Sequence, residues 1–355
     1  MATITDVARL AGVSVSTVSY VVSGTRPISA ATALKVRGAM DELGYQPNAF
    51  ARGLASRRTR TLGLMFPTPE RGLGVTELEF ITSAAQACRE AKYQMVLWTT
   101  QIHESAELKA LTGSGLVDGV IVMEVRLVDE RSDLLRETGL PFTLIGQTQN
   151  TKDLSYVDID FEATVREAVR HLTELGHTQI ALLNRTEAEF IDRYGPTVRV
   201  NDAFGAVMAE LRLTPRALPC ADDPEAGRLA FAEFLNDSPD LSAIISMNDR
   251  ATVGVIDAIE SAGWSVPDDF SVMSLVTSAM VAQLSRPRLT TLAPQTVRLS
   301  QCAVHKLVAQ IEGTDPPDES SLLPCLLDMG ASTGPKPHSR AVARQMSGPD
   351  PHSRH

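Results

Sequence analysis

The apolar residues of this chain follow two spacings. From residue 61 onward, short apolar runs predict strands at 61–66, 94–99, 119–123, 142–145, 179–183, 243–246 and 271–275. Between them, apolar residues recur with the period of a helix and predict amphipathic helices at 77–92, 104–111, 162–175, 201–213, 225–235 and 250–262. Alternation of this kind builds a doubly wound parallel sheet covered by helices on both faces. The region is long enough for two such α/β halves, with crossovers near 146–160 and 276–293.

Residues 1–60 predict three short helices instead. Thr5 is placed to cap 6–11, Ser14 to cap 15–22, and Ser29 to open a third helix that ends at Leu43 with Gly44 just beyond it. Val36, Met40 and Leu43 form one apolar stripe that closes over the first pair. Ala8, Gly12 and Val18 supply a small residue, a turn glycine and an anchoring hydrophobe at the spacing of a helix-turn-helix. Val15, Ser16, Ser19 and Tyr20 then face outward, toward a major groove. The same spacing would also serve a purely structural three-helix unit with a solvated face.

Charge sharpens the division. Residues 1–60 hold 8 Lys/Arg against 3 Asp/Glu, whereas the remainder holds 25 against 40. A basic module on an acidic body lets one end alone approach a polyanion. The four cysteines, Cys88, Cys220, Cys302 and Cys325, lack paired spacing and read as buried hydrophobes, with neither a metal site nor a disulfide framework expected. No apolar run is long enough to span a bilayer and no cationic segment with an apolar stretch opens the chain, so a cytoplasmic protein is expected. Phosphate-loop, nucleophile-elbow and zinc-helix motifs are missing, which argues against an enzyme and predicts no cofactor.

Thr5-Asp6-Val7-Ala8, Ala11-Gly12-Val13-Ser14, Ser16-Thr17-Val18-Ser19, Arg26-Pro27-Ile28-Ser29 and Leu43-Gly44-Tyr45-x-Pro47-Asn48 closely resemble the headpiece of the lactose-repressor (LacI/GalR) family. The resemblance implies a recognition helix presenting Val15, Ser16 and Tyr20 to base edges, with Ser14, Thr17, Ser19 and Tyr45 on phosphates. It implies a hinge helix at 48–56 that orders when two subunits meet on an operator. Leu54 would be its minor-groove wedge, with Asn48 and Ala51 lining the same contact. Tyr20 stands where many family members carry arginine, so the base it reads is not inherited by analogy. Arg57, Arg58 and Arg60 read equally as phosphate contacts or as a solvated linker.

The resemblance continues through Leu116-Val117-Asp118-Gly119-Val120-Ile121, His171-Leu172-x-x-Leu175-Gly176-His177, Asn248-Asp249, Val266-Pro267-Asp268-Asp269 and Leu289-Thr290-Thr291. It implies the periplasmic-binding-protein fold, whose two subdomains enclose a ligand cleft lined by loops after the strands. The wall would include Thr68, Gln147, Arg199, Asn248 and Thr277. Asn248 and Asp249 could equally cap the helix that follows them, and Arg199 could be a surface arginine. Many relatives have aspartates where this chain has Gly146 and Val276-Thr277, which weakens a sugar assignment.

The expected organisation is a headpiece at 1–46, hinge helix and linker at 47–60, an effector-binding and dimerisation domain at 61–330, and a disordered tail at 331–355. The tail is rich in Pro, Ser, His and Arg, repeats Pro-His-Ser-Arg at 337–340 and 351–354, and has no leucine heptads. The sequence therefore predicts a dimeric regulator, acting as a repressor on a pseudo-palindromic double-stranded operator. A small-molecule effector, a sugar or related metabolite, would control it. A solute receptor without DNA function is the alternative, and it leaves the basic headpiece unexplained.

Overall fold

The computed structural model describes residues 2–23, 26–45, 58–67, 73–99, 105–315 and 321–338. At the N-terminus, helices Ile4–Ala11, Val15–Ser23 and Ala30–Leu43 close on a core of Val7, Ala8, Val18, Val36 and Ala39. The first helix begins earlier than its Thr5 cap predicts. Thr3 is the cap: its hydroxyl accepts from Asp6 N at 3.4 Å while the Asp6 carboxylate accepts from Thr3 N at 3.0 Å. This reciprocal pair satisfies two helix-end donors, which a lone Thr5 would not. Gly12, in left-handed backbone, ends the helix and turns the chain into the next. Val36 of the predicted stripe is fully buried, with Met40 and Leu43 at the edge of the core.

Among the described residues the body holds two six-stranded sheets. The first comprises β1 (Thr61–Met65), β2 (Gln94–Trp98), β3 (Gly119–Val122), β4 (Phe142–Ile145), β5 (Tyr156–Ile159) and β11 (Leu322–Leu323), ordered β11-β5-β4-β3-β1-β2. The second comprises β6 (Ile180–Leu183), β7 (Arg216–Leu218), β8 (Ala243–Ser246), β9 (Ser271–Leu275), β10 (Thr290–Ala293) and β12 (Leu326–Asp328), ordered β12-β10-β9-β8-β6-β7. Pairing is parallel except between β10 and β12. Strands β3, β6, β8 and β9 are buried along their whole length, as helices on both faces require.

The chain crosses between the sheets three times. It passes from β5 into helix Phe161–Glu174, from β10 into helix Thr296–Glu312, and from β11 directly to β12. The first two fall close to the expected crossovers. The third is carried by strands of two and three residues, too short to leave a periodic signal.

Two further boundaries differ from expectation. The helix predicted at 201–213 spans Gly195–Glu210, with Pro196 in its first turn, where proline's missing N–H costs nothing. Arg199 therefore lies inside this helix and not before it. The tail does not begin at 331 as expected: residues 331–336 run along the second sheet as an ordered strap. Ala331 N donates to Arg288 O at 2.7 Å, Ser332 Oγ accepts from Thr290 N at 2.8 Å, and Lys336 N donates to Leu175 O at 2.8 Å. Composition misled because the strap is fastened by backbone groups and small hydroxyls, not by apolar side chains. The rest of the expected tail, 339–355, lies outside the described residues.

Candidate nucleic-acid interface and ligand cleft

Val18 fastens helix Val15–Ser23 to the headpiece core and leaves its far side open. Val15 is 42% exposed, Ser16 is exposed, and Thr17, Ser19 and Tyr20 are half-buried. Ser14 Oγ accepts from Thr17 N at 3.1 Å and lies 2.8 Å from the hydroxyls of Ser16 and Thr17, so it fixes the first turn of this face. Tyr45 packs on the headpiece core beside Met40 and Leu43. Arg26, which sequence reasoning did not single out, has its guanidinium 5.3 Å from the Tyr20 ring centroid and brings positive charge to the same surface. Asn48, Ala51 and Leu54 lie outside the described residues.

Arg58 and Arg60 keep much of their side chains in solvent, as the linker reading expects, but both are also tied to the first subdomain. Arg58 Nη2 donates to Ile311 O at 3.1 Å, and Arg60 pairs with Glu312 at 3.1 Å while its guanidinium covers the Tyr93 ring. Asp118 holds the adjacent backbone, accepting from Thr59 N at 2.6 Å and from Arg60 N at 2.8 Å. The linker's end is thus stitched to the first sheet.

Between the sheets lies a cavity of about 470 Å³. Main-chain bonds close one side of it: Leu127 N donates to Arg193 O at 2.8 Å, and Gly195 N donates to Val125 O at 3.1 Å. Gln147, Arg199 and Asn248 line the cavity as expected, and Thr68 lies outside the described residues. Thr277 does not line it. It is buried behind Asp249, to whose carboxylate its hydroxyl donates, because Val276 takes the wall position in left-handed backbone. Asn248 caps helix Asp249–Ser261 through Oδ1 and donates through Nδ2 to the carbonyls of Cys220 and Ala221. Its side chain is spent on structure, so it shapes the cleft more than it grips an occupant.

At Gly146 the backbone has φ +120°, and a Cβ there would press on Val125. No acid could occupy this position without moving the loop. The cavity's acids come from elsewhere. Asp158 on β5 is buried, and burial pushes its carboxyl up to about 7 despite the nearby Arg199 guanidinium. Arg199 donates through Nη2 to Thr148 O at 3.2 Å, while its buried Nη1 has no hydrogen-bond partner among the described residues.

Facing them, Arg185 grips Glu189 through two bonds of 2.7 and 2.9 Å and stacks on the Tyr194 ring. Burial also raises the carboxyl of Glu124, which is held in left-handed backbone at φ 55°, and that of Asp249. Left-handed backbone at Glu124 and Val276 is strain of the sort found where function fixes a side chain. Sequence reasoning missed Glu124 and Arg185. Each lies two residues past the carboxyl end of a strand, β3 and β6, which is where open α/β sheets place ligand contacts.

Residues 3–48 match the lacI family of bacterial regulatory proteins, and residues 169–333 match a periplasmic binding protein-like domain. The HTH-type transcriptional repressor PurR of Mannheimia succiniciproducens is 31% identical over 323 residues, 89% of this chain and 93% of that protein. The chain belongs to the LacI family. Catabolite control protein A of Staphylococcus xylosus is 28% identical over 334 residues, covering 93% of this chain and 99% of that protein. A solved complex of the regulator CelR with cellobiose superposes with a TM-score of 0.67 at 26% identity, covering 94% of this chain and 100% of that one. These LacI-family relatives are transcription regulators, and their two-part architecture is the one described above. Among the described residues, no helix is long and apolar enough to cross a membrane.

Proposed function

We propose that this LacI-family chain is a sequence-specific transcriptional repressor that acts in the cytoplasm as a two-fold homodimer and is controlled by an effector in the inter-sheet cavity. The observation that carries the DNA-reading part is the helix Val15–Ser23. It is locked from below by Val18 and open above at Val15 and Ser16, with Tyr20 and Arg26 at its end. Val15, Ser16 and Tyr20 are assigned to base edges, and Ser14, Thr17, Ser19 and Tyr45 to the phosphate backbone or the turn that reaches it. Asn48, Ala51 and Leu54 are assigned to the minor groove, with Leu54 as the wedge.

The cavity supports the control. An effector that favours one angle between the sheets shifts the population, and its differential affinity is the whole of the available energy. Gln147 and Arg199 are the assigned contacts, and Asn248 and Thr277 support the wall. The relative CelR holds cellobiose, which supports a small polar metabolite here.

Selection from randomised duplexes with the full chain tests this reading. A pseudo-palindromic sequence should emerge, and Leu54→Ala should weaken binding to it more than binding to random DNA. Enrichment of no sequence would sink the proposal, and equal losses on both DNAs would remove Leu54 as the wedge.

A further inference from the structure

Two loop segments, one from each sheet, meet across the cavity and pair through their main chains. Residues 124–129 follow β3 in the first sheet, and residues 192–199 lie beyond β6 in the second. Arg126 and Tyr194 form an antiparallel bridge. Beside it Leu127 N donates to Arg193 O at 2.8 Å and Gly195 N donates to Val125 O at 3.1 Å. Gln149 N adds a third layer by donating to Leu127 O at 2.8 Å, and Arg193 reaches back to the Gln149 side chain at 3.3 Å. The result is a short ribbon that fastens one subdomain to the other. Arg126 with Asp192 at 3.4 Å, and Arg199 with Thr148 O at 3.2 Å, span the same gap. All of these bonds join protein to protein, so none of them needs an occupant.

The ribbon is strained, and it is joined to the cavity. Glu124 and Arg193 both have left-handed backbone, at φ 55° and 54°. Such backbone in residues with side chains persists only where surrounding contacts over-determine it, and it gathers at switch segments. Gly195 is where the two chains come closest: a Cβ there would stand 2.9 Å from Val125 O, the acceptor of its own bond. Glu124 and Tyr194 line the cavity hydrogen-bonded to each other, and each is the neighbour in sequence of a residue in the ribbon's bonds. Arg185, stacked on the Tyr194 ring, lines it as well. An occupant therefore meets side chains that the ribbon itself carries. Paired main-chain bonds are made or lost together, which gives the cleft two discrete arrangements.

We infer that the ribbon of 125–127 on 193–195 is a clasp that sets the angle between the two subdomains before any effector binds, and that Tyr194 is the positioning residue through which an occupant holds or releases it. The consequence for the operator rests on the function proposed above, whereas the clasp does not.

Spin labels at Glu137→Cys, on helix Glu130–Thr138, and Glu233→Cys, on helix Pro224–Asp237, read the angle in the full chain. Both positions are exposed, and the four native cysteines are buried. Labelled protein is mixed with excess unlabelled protein, so that distances within one chain dominate. The unliganded wild type should give a single distance. Gly195→Ala, which drives a methyl against Val125 O, should populate a second, and Tyr194→Phe should populate the same one to a lesser extent. Amide exchange in the unliganded wild type needs no variant: the N–H groups of Leu127 and Gly195 should exchange at least about tenfold more slowly than in free peptide. Fast exchange at both amides overturns the clasp. So does a second distance already populated in the wild type, or a folded Gly195→Ala protein that keeps the single one. A Tyr194→Phe distance identical to wild type removes the role of Tyr194. Operator affinity of unliganded Gly195→Ala should shift at least about fivefold. An unchanged affinity beside a changed distance would count against the regulatory reading and leave the clasp standing.

Discussion

Gly227 and Gly254 sit where helices Pro224–Asp237 and Asp249–Ser261 cross, each pressed against the other helix's backbone. A Cβ on Gly254 would collide with Pro224 O, and one on Gly227 with Ala251 O. Both obstacles are main chain, so neither can swing aside. Asp249 stands at the start of the second helix, so the crossing also fixes one wall of the cavity.

Gly254→Ala should therefore destabilise the body by about 3 kcal/mol or more, the range of severe overpacking, despite alanine's better helix propensity. Chemical denaturation measures it. A change below about 1 kcal/mol would mean that the helices separate freely.

The ordered strap after Gly330 makes a second prediction. His177 Nε2 lies 3.0 Å from Gly334 O, and Nδ1 lies 2.8 Å from Ser242 Oγ, all of them buried. Truncation after residue 330 removes the Gly334 partner of His177 and the edge bonds of Ala331, Ser332 and Lys336, and should lower Tm by about 5 °C or more. Truncation after 338 should leave Tm unchanged. Equal melting of the two truncations would show that the strap carries no stability.

Legibility in the sequence followed the length and regularity of each signal. The seven strands expected in the body all form, because each is a short run dominated by apolar residues and free of charge. Strand β5 was not expected: Tyr156-Val157-Asp158-Ile159 interrupts its apolar run with the acid that turns out to line the cavity. Strand β10 is half threonine, and β11 and β12 are too short to show a period. The recognition helix was legible since cap, turn glycine and anchor all fall within Gly12–Val18. The cavity was legible only in outline. Family positions pointed to Gln147, Arg199 and Asn248, but Glu124, Arg185 and Tyr194 meet only after the sheets are placed face to face. A pattern local in sequence cannot report a meeting of residues 124 and 194.

Asp158 gives a pH prediction. Its carboxyl titrates near 7 in the folded protein and near 3.8 in the unfolded chain. Between those values the folded state keeps a proton that the unfolded chain has released, so this group favours folding increasingly as pH falls from 8 to 5. Asparagine cannot ionise. Relative to wild type, the Tm of Asp158→Asn in the unliganded protein should rise between pH 5 and pH 8. A pH-independent difference would contradict the burial of this charge.

The clasp on the linker is open to protease. Asp118 accepts from Thr59 N, Thr59 Oγ1 and Arg60 N at 2.6, 2.9 and 2.8 Å. Losing charge-assisted bonds worth roughly 1.5 kcal/mol would raise the open population about tenfold. Trypsin should then cut after Arg58 and Arg60 about ten times faster in Asp118→Ala. Unchanged cleavage would show that the stitches of Arg58 and Arg60 to Ile311 and Glu312 suffice by themselves.

The contact of Arg26 with Tyr20 predicts how the headpiece reads DNA at the step where many relatives use arginine. With the guanidinium 5.3 Å from the ring centroid, the two side chains hold each other at the end of the exposed helix face. Arg26→Ala removes both a charge and a support. Operator affinity should fall about tenfold, and the salt dependence should lose about one phosphate's worth of slope. Tyr20→Ala should reduce discrimination between operator and random DNA with the slope unchanged, since a neutral ring displaces no counterion. Because each residue positions the other, the double variant should lose less than the two single losses combined. Strict additivity, measured by titrating operator and random duplex at several salt concentrations, would show that arginine and tyrosine act on the duplex independently and that their stacking does not shape recognition.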